Sequence, residues 1–358
     1  MLQKFFFSTV ATVTGITFCM AQDSSEAKPK PTITAAVDVY YRYNFSNPSK
    51  ASEVYNNFTS FTNSHNSFEL GMATVKAEHT IGKVGMVADL GFGKRAEEFS
   101  YNDENTRFII KQLNVSYTPW NNVKFTAGSW ATHVGYEVVD AYANRNYSMS
   151  YMFSKGPFFH TGLKTDITAG KSGFMLGVAN PTDLKSASFS SKFLIGQYSF
   201  SLNDNVKAYL NYQGGKPNGD ARVRQYDLVI TNALSDHFSL GYNGTIANSW
   251  AKKNGKFSDK KTWWGSALYL TTDPVAWFGL TLRTEYFKDE NSITDVFSSA
   301  TSGGSVFAST LSANFRISNL TIIPELRWDK ASREIFLNHS GETKKGTATA
   351  LVAAVYKL

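Results

Sequence analysis

The chain has little of what holds most small secreted proteins together. Its 358 residues include one cysteine, Cys19, so the chain can form no intramolecular disulfide and no site of several thiolates. Charged residues make up only 18% of the chain, and no apolar run beyond the amino terminus approaches the length of a transmembrane helix. A disulfide-stapled domain and a helical membrane protein are therefore both excluded.

Motifs for metal, nucleotide and hydrolytic chemistry are also missing. The six histidines stand apart, without a His-Glu-x-x-His pattern, and Gly91-x-Gly93 lacks the third glycine of a dinucleotide loop. Asn338-His339-Ser340 has ordinary turn composition. The net charge of +7 is spread along the chain and forms no basic stripe for nucleic acid. We therefore expect no cofactor, no metal site, no nucleic-acid partner and no enzymatic activity.

The amino terminus predicts an exported protein. It has the pattern of a secretory signal peptide. A lysine near the start is followed by an apolar run to Phe18 and by a small residue, Ala21, at the expected cleavage site. We expect cleavage to remove residues 1–21, and the cysteine with them. Residues 22–31 are charged and contain proline, which favours a short periplasmic leader, and a single domain over residues 32–358 follows.

Segments in which apolar and polar residues alternate recur throughout this domain, with few helical interruptions. Most have near the ten or so residues that a tilted strand needs to cross a bilayer. The alternation is irregular in residues 67–80 and 107–118, where we expect bulges. About sixteen strands are predicted, at residues 32–45, 67–80, 84–93, 107–118, 122–131, 158–168, 171–180, 189–201, 205–214, 222–234, 237–249, 261–272, 276–288, 304–317, 320–330 and 346–357.

The connections between these strands alternate in length. Short turns such as Gly82-Lys83, Asn203-Asp204 and Ser318-Asn319 alternate with longer polar loops. Outer-membrane barrels have this pattern because tight turns join their strands at the periplasmic end and longer loops at the extracellular end. Closure also removes sheet edges that lipid could not hydrate. The sequence therefore predicts an all-β fold, one closed antiparallel transmembrane β-barrel in the cell outer membrane of a Gram-negative bacterium.

The two faces of the strands predict which side meets lipid. Leu280 and Leu282 share one face of a strand, whereas Arg283 and Glu285 share the other. A barrel of about sixteen strands is too wide for side chains to fill, so we assign the charged face to a water-filled lumen. Aromatic residues are 15% of the chain and are expected to form girdles at the lipid interfaces. The tryptophans at predicted strand ends are Trp120, Trp130, Trp250, Trp263 and Trp277.

The same parity gives a modest excess of lumen cations, which predicts a mild anion preference. The cations are Arg42, Lys76, Lys124, Lys164, Lys207, Arg283, Arg316 and Arg327, and the anions are Asp38, Asp89, Asp227, Glu285 and Glu325.

In the carboxyl-terminal segment ALVAAVYKL, apolar residues alternate along one face up to Leu358. The segment resembles the signal that the barrel-assembly machinery recognises, with leucine in place of the usual terminal aromatic residue.

The longest connection, residues 131–159, joins the fifth and sixth strands. Loops of this length are usually functional or disordered, and its aromatic and apolar residues favour packing. We expect residues 131–157 to fold into the barrel as a constriction, with an outward lid or a pair of extra strands as the alternatives. The residues expected at the constriction are Glu137, Asp140 and Arg145 of the loop and Lys124, Arg283, Glu285 and Arg327 of the wall.

The run GSWATHVGYEVVDAYANRNYSMSYMFSKGPFFHTGLK resembles the signature of the OmpL-like putative β-barrel porin family. The matching residues are Gly135, Tyr136, Glu137, Asn146, Tyr147, Ser148, Ser150, Gly156, Pro157, His160 and Gly162. The resemblance implies an outer-membrane porin and implies little about its solute.

We therefore expect a porin, a water-filled diffusion channel for small hydrophilic solutes and ions, surrounded by outer-membrane lipid. Porins of this strand number are often homotrimers. Two other classes stay open: a surface binding or adhesive protein, and a barrel enzyme. Conductance after insertion into a bilayer separates a channel from both.

Overall fold

The wall of the protein consists of sixteen long strands, seen in a computed structural model that describes residues 29–50, 54–217, 221–253, 255–297 and 302–358. The expected signal peptide and most of the expected leader lie outside these ranges. The strands are β1 (Thr32–Asn44), β2 (Ser67–Ile81), β3 (Val84–Phe92), β4 (Ile110–Trp120), β5 (Val123–Ala131), β6 (Phe159–Ala169), β7 (Ser172–Ala179), β8 (Phe193–Ser201), β9 (Val206–Gly215), β10 (Ala221–Ala233), β11 (Phe238–Lys253), β12 (Lys261–Val275), β13 (Phe278–Asp289), β14 (Gly304–Ile317), β15 (Leu320–Ala331) and β16 (Gly346–Lys357).

Each strand pairs antiparallel with its neighbours in the sequence, and β1 also pairs with β16. The sheet therefore closes, and the prediction of a closed barrel of about sixteen strands is confirmed. Connections at the periplasmic end have at most four residues, whereas those at the extracellular end are longer. We number the extracellular connections in chain order; those used below are loop 1 (45–66), loop 2 (93–109), loop 3 (132–158), loop 4 (180–192), loop 7 (290–303) and loop 8 (332–345).

Helix is confined to these loops among the described residues. Loop 2 contains α1 (Lys94–Phe99) and loop 3 contains α2 (Tyr151–Lys155). Neither has the length or the apolar content to cross a membrane. The remaining elements are 3-10 turns at Asn105–Ile109, Ala141–Ala143 and Asp295–Phe297, and two-residue strands at Lys256–Phe257, Phe336–Leu337 and Thr343–Lys344.

The wall is inverted relative to a soluble protein, as the alternation predicts. In β15, Leu326 and Trp328 are 60% and 45% exposed, whereas Glu325 and Arg327 between and before them are only 3% and 7% exposed. Apolar side chains thus point outward to where lipid lies, and charged side chains point inward. The burial of the inward charges shows that something other than water covers them.

Both expected bulges are present. In the pairing of β1 with β2, Asp38 faces Met72 and Val39 faces Leu70, which leaves Gly71 unpaired. In the pairing of β3 with β4, Asp89 faces Gln112 and Leu90 faces Ile110. Lys111 is the extra residue in β4, and its side chain is 1% exposed, so the bulge turns this lysine inward.

The tryptophan girdle was predicted correctly for only part of the set. Trp120 and Trp277 are 63% and 59% exposed at the periplasmic end, and Trp250 lies half-buried near the extracellular end of β11. Trp130 and Trp263 are only 6% and 5% exposed and face the interior, so their assignment to a girdle was wrong. Position near a strand end does not fix the face, which the strand parity decides.

Candidate functional site: loop 3 inside the barrel

Loop 3 lies inside the barrel and fills much of the middle of the lumen. Tyr147 and Met149 are fully buried, although neither belongs to a strand. The loop forms hydrogen bonds to opposite sides of the wall: Tyr147 Oη donates to Asp38 of β1, and Gly135 N donates to Asp227 of β10 at 3.0 Å. The expectation of a loop folded into the barrel is confirmed, and the outward lid and the extra strands are not observed.

Two wall glutamates hold the loop by its backbone. Glu325 accepts hydrogen bonds from the backbone N–H groups of Tyr147 at 2.9 Å and Ser148 at 3.3 Å. Glu285 accepts from Tyr151 and Met152, both at 2.8 Å, in the first turn of α2. These four N–H groups have no strand partner, and a buried carboxylate satisfies two of them at once. The lumen face of β13 and β15 thus positions the loop.

The two ends of loop 3 are held in the same way. Near the start, Asp227 accepts from Gly135 N and from Asn211 and Asn243 of the neighbouring strands. At the end, Asp183 of loop 4 accepts from Phe158 N at 2.7 Å and Phe159 N at 3.0 Å. Burial raises the pKa of Asp183 to about 7 despite these hydrogen bonds.

Glu137 and Arg283 form a buried ion pair between loop and wall. Their side chains are 5% and 1% exposed. Glu137 also accepts from Ser150 N at 2.8 Å, and Arg283 donates to the carbonyl oxygens of Ser148 at 2.6 Å and Met149 at 3.2 Å. Of the seven residues expected at the constriction, these two form an ion pair with each other.

Asp140 pairs with a lysine that the sequence did not assign to the lumen. Lys111 Nζ contacts Asp140 and lies 3.1 Å from Asp89 of β3. Lys124 does not take this place: it is the second residue of β5, beside the periplasmic turn at residues 121–122. The irregular alternation of the β4 segment was the one signal that pointed to Lys111.

Arg145 lies near the periplasmic end of the barrel. Its guanidinium donates to both carboxylate oxygens of Asp273, at 2.9 and 2.6 Å, and Asp273 lies two residues before the end of β12. Arg316 of β14 shares the same carboxylate at 2.6 Å. Loop 3 therefore descends from the extracellular side almost to the periplasmic mouth, and these three side chains stay about a quarter exposed.

Arg327 completes the contacts of the wall arginines. It pairs with Asp329 at 2.8 Å and donates to the carbonyl oxygen of Met149 at 2.7 Å. Its guanidinium also lies 5.2 Å from the centre of the Tyr151 ring. Arg283 and Arg327, on strands two apart, therefore bind the same stretch of loop 3 backbone.

An apolar cluster closes the region above loop 3. Phe61 of loop 1, Phe99 of loop 2 and Phe153 and Phe158 of loop 3 pack together. Fully buried Arg95 lies beside it, with its guanidinium 5.0 Å from the Phe61 ring and bonded to the carbonyl oxygen of Val139. Sequence reasoning missed Arg95 because α1 carries no signal that a loop helix turns inward.

The charges that remain available to a solute differ from those counted along the sequence. All five predicted lumen anions, Asp38, Asp89, Asp227, Glu285 and Glu325, are buried and bonded to loop 3, to a wall cation or to wall amides. Among the cations, Lys164 pairs with Asp166 and Lys76 with Glu78. Within the described ranges, Lys124 and Lys207 have no ion-pair partner, and both are partly exposed.

A cavity of about 160 Å³ with both polar and apolar lining residues lies beside the end of α2, against β9 to β12. Gln213 donates to Gln225 at 2.8 Å at its wall, and Thr182 of loop 4 donates to Gln213. Trp263, Val223 and Lys155 are among the other lining residues. The cavity forms a vestibule in front of loop 3, and the described residues contain no cluster of His, Cys, Asp or Glu side chains that could hold a metal.

The sequence motif around loop 3 has a structural explanation. Gly135 has a φ of +94°, which a side chain would strain, and Ser150 Oγ accepts from Phe153 N to cap α2. At Gly162 a Cβ atom would lie 2.1 Å from the carbonyl oxygen of Val178. The motif therefore specifies how the loop turns, caps and packs.

Solved structures with similar folds include an outer-membrane channel, a porin and another outer-membrane protein. The outer membrane channel DcaP of Acinetobacter baumannii superposes with a TM-score of 0.63 at 11% identity, over 95% of this chain and all of that one. An anion-selective porin from Comamonas acidovorans gives 0.59 at 11% identity, and the trimer form of OmpT from Vibrio cholerae gives 0.58 at 9%, each over 92% of this chain and 99% of the other. At these identities the likeness establishes the fold.

A search of curated proteins finds no match. The family described as "Putative beta-barrel porin-2, OmpL-like" matches residues 30–358, nearly the whole chain. Together with the barrel and its interior loop, this match agrees with the resemblance seen in the sequence. The chain therefore belongs to the OmpL-like putative β-barrel porin family and is an outer-membrane porin, a diffusion channel.

Proposed function

We propose that loop 3 is the selectivity constriction of this porin and that the pore mildly prefers anions. Charged groups at a narrow point of a channel set its ion selectivity. The observation that supports the preference is the fate of the lumen charges: the wall carboxylates are bonded, whereas Lys124 and Lys207 have no carboxylate partner among the described residues. Both lysines point into the periplasmic half of the lumen, below loop 3.

In this proposal the acidic residues of loop 3 moderate the field and do not dominate it. Glu137 neutralises Arg283, and Asp140 shares Lys111 with Asp89. Arg145 shares Asp273 with Arg316, which leaves one net positive charge near the periplasmic mouth. The roles of Glu285 and Arg327 are to hold loop 3, because their bonds go to its backbone.

Reversal potentials in planar bilayers under a salt gradient test this assignment. The double variant Lys124→Gln/Lys207→Gln is expected to shift selectivity toward cations. Glu137→Gln/Asp140→Asn is expected to shift it toward anions, because it removes two negative charges from loop 3 and leaves Arg283 without its partner. Lys83→Gln/Lys171→Gln removes two exposed charges at periplasmic turns and serves as the control. At 1 M salt the Debye length is about 3 Å, so the shifts should shrink there.

A shift of the control as large as that of the lumen variants would place the selecting charges outside the pore. Equal reversal potentials in all the variants would remove loop 3 and its lysines from selectivity. Conduction itself separates this channel from a catalytic barrel or an adhesin, whose lumen need not pass ions.

The same proposal includes assembly and export. A homotrimer is supported by the likeness to OmpT, which was solved in a trimer form, and sedimentation in detergent measures it. The outward face of the last strand, with Tyr356 and Leu358 42% and 69% exposed, supports recognition by the barrel-assembly machinery. Export through cleavage of residues 1–21 stays a prediction.

A further inference from the structure

The extracellular ends of β10 to β12 carry a concentration of positive charge on the outside of the barrel. In the described residues of this region only one carboxylate, Asp259, accompanies six cations that are not on the lumen face, all of them exposed or half-exposed. We call this set the basic rim. It consists of Lys216, Arg222, Arg224, Lys252, Lys256 and Lys260.

The arginines of the rim face away from the lumen. Arg224 precedes Gln225, which is 5% exposed and points inward, so the alternation of β10 directs Arg224 outward. On the same outer face, Tyr226 follows Arg224 toward the membrane and pairs with Ile246 of β11. Tyr226 and Ile246 are 45% and 40% exposed. The rim therefore lies directly above the apolar band, and its charge is not presented to solutes in the pore.

Aromatic rings hold the arginines without neutralising them. The Arg222 guanidinium lies 4.4 Å from the centre of the Phe257 ring, and that of Arg224 lies 5.8 Å from the Trp250 ring. A cation–π contact orients a guanidinium and leaves its N–H donors available. No carboxylate of the described residues pairs with either arginine, so these N–H groups can donate hydrogen bonds to an external anion.

We infer that the basic rim binds the phosphate group of an outer-leaflet lipid. A planar guanidinium binds phosphate through two parallel hydrogen bonds, and the apolar band below the arginines fits acyl chains attached to that headgroup. A soluble anion would gain nothing from this band. A second copy of the chain presenting the same rim would be repelled by like charge. The chemistry of the surface thus selects an amphiphile with a phosphorylated headgroup.

Native mass spectrometry of the full mature protein in detergent, with phosphorylated and dephosphorylated lipid A as probes, tests this inference. The wild type is expected to bind the phosphorylated form about tenfold more tightly. Arg222→Gln/Arg224→Gln should abolish that preference, and Arg222→Lys/Arg224→Lys should retain part of it. Lys344→Gln/Lys345→Gln removes the same charge from loop 8, also on the extracellular side, and should leave the preference unchanged.

Three results would overturn the inference: equal binding of the two probes by the wild type, a preference unaffected by Arg222→Gln/Arg224→Gln, or an equal loss in the loop 8 control. Displacement of lipid A by millimolar inorganic phosphate would point to a soluble anion site and also overturn it. All the substituted side chains are exposed or half-exposed, and the heat-dependent shift in gel migration verifies that each variant is folded.

Discussion

Glu285→Gln tests whether the wall carboxylates hold loop 3 in place. The native carboxylate accepts two backbone hydrogen bonds at 2.8 Å, from Tyr151 and Met152, and it is 1% exposed. The glutamine side chain has one oxygen to accept one of these bonds, and its amide nitrogen, a donor, meets the other N–H. A hydrogen bond to a charged group contributes about 1.5–3 kcal/mol.

The loss of one such bond should therefore raise the population of undocked loop by roughly ten- to hundredfold, since about 1.4 kcal/mol corresponds to a factor of ten. In single-channel recordings this appears as more frequent transitions to a higher conductance. Glu290→Gln is the matched control, because Glu290 lies in loop 7 with its side chain 42% exposed and paired with Lys288. Conductance and open-channel noise equal to the wild type in a folded Glu285→Gln barrel would refute the reasoning.

Two other predictions concern the wall and pH. Val115→Arg on the lipid face should destabilise the barrel by about 2–4 kcal/mol near the midplane, whereas Ser116→Arg, one residue on and facing inward, should cost much less; equal unfolding temperatures on heated gels would show that the faces are misassigned. Asp183 has a pKa raised to about 7 by burial, above the unfolded value of 3.8, so the folded state binds more protons and its stability should fall as pH rises from about 4 to 7. Asp183→Asn should remove this dependence, and an unchanged pH profile would contradict the assignment.

Strand number and topology could be predicted because they depend on local periodicity. The alternation of short and long connections, together with the period of two, places sixteen strands whose bounds differ from those observed by a few residues. The bulge at Lys111 could be located as an irregularity. Its consequence, a lysine turned toward Asp140, could not, because the direction of an extra residue depends on the neighbouring strands.

Most contacts that the loops make inside the lumen could not be predicted from the sequence, and the reason is physical. An attraction between Glu137 and Arg283 could be anticipated, because one is an acidic residue of the loop and the other is a wall cation that strand alternation directs into the lumen. The partners of Asp140 and Arg145 depend on how far the loop descends, and no local pattern encodes that depth. Arg95 and Trp263 were missed for the same reason, since their burial results from packing between segments distant in sequence.

The wall carboxylates bind the backbone of loop 3, so the position of the loop depends little on its amino-acid sequence at these contacts. Glu285, Glu325 and Asp227 bind peptide N–H groups, which every residue except proline supplies. These hydrogen bonds therefore do not require a particular side chain at Ser148 or Met152, whereas Gly135 is needed for its φ of +94°. A barrel built in this way can acquire a new solute preference by substitutions in one short segment, and the scaffold that positions the segment need not change with it.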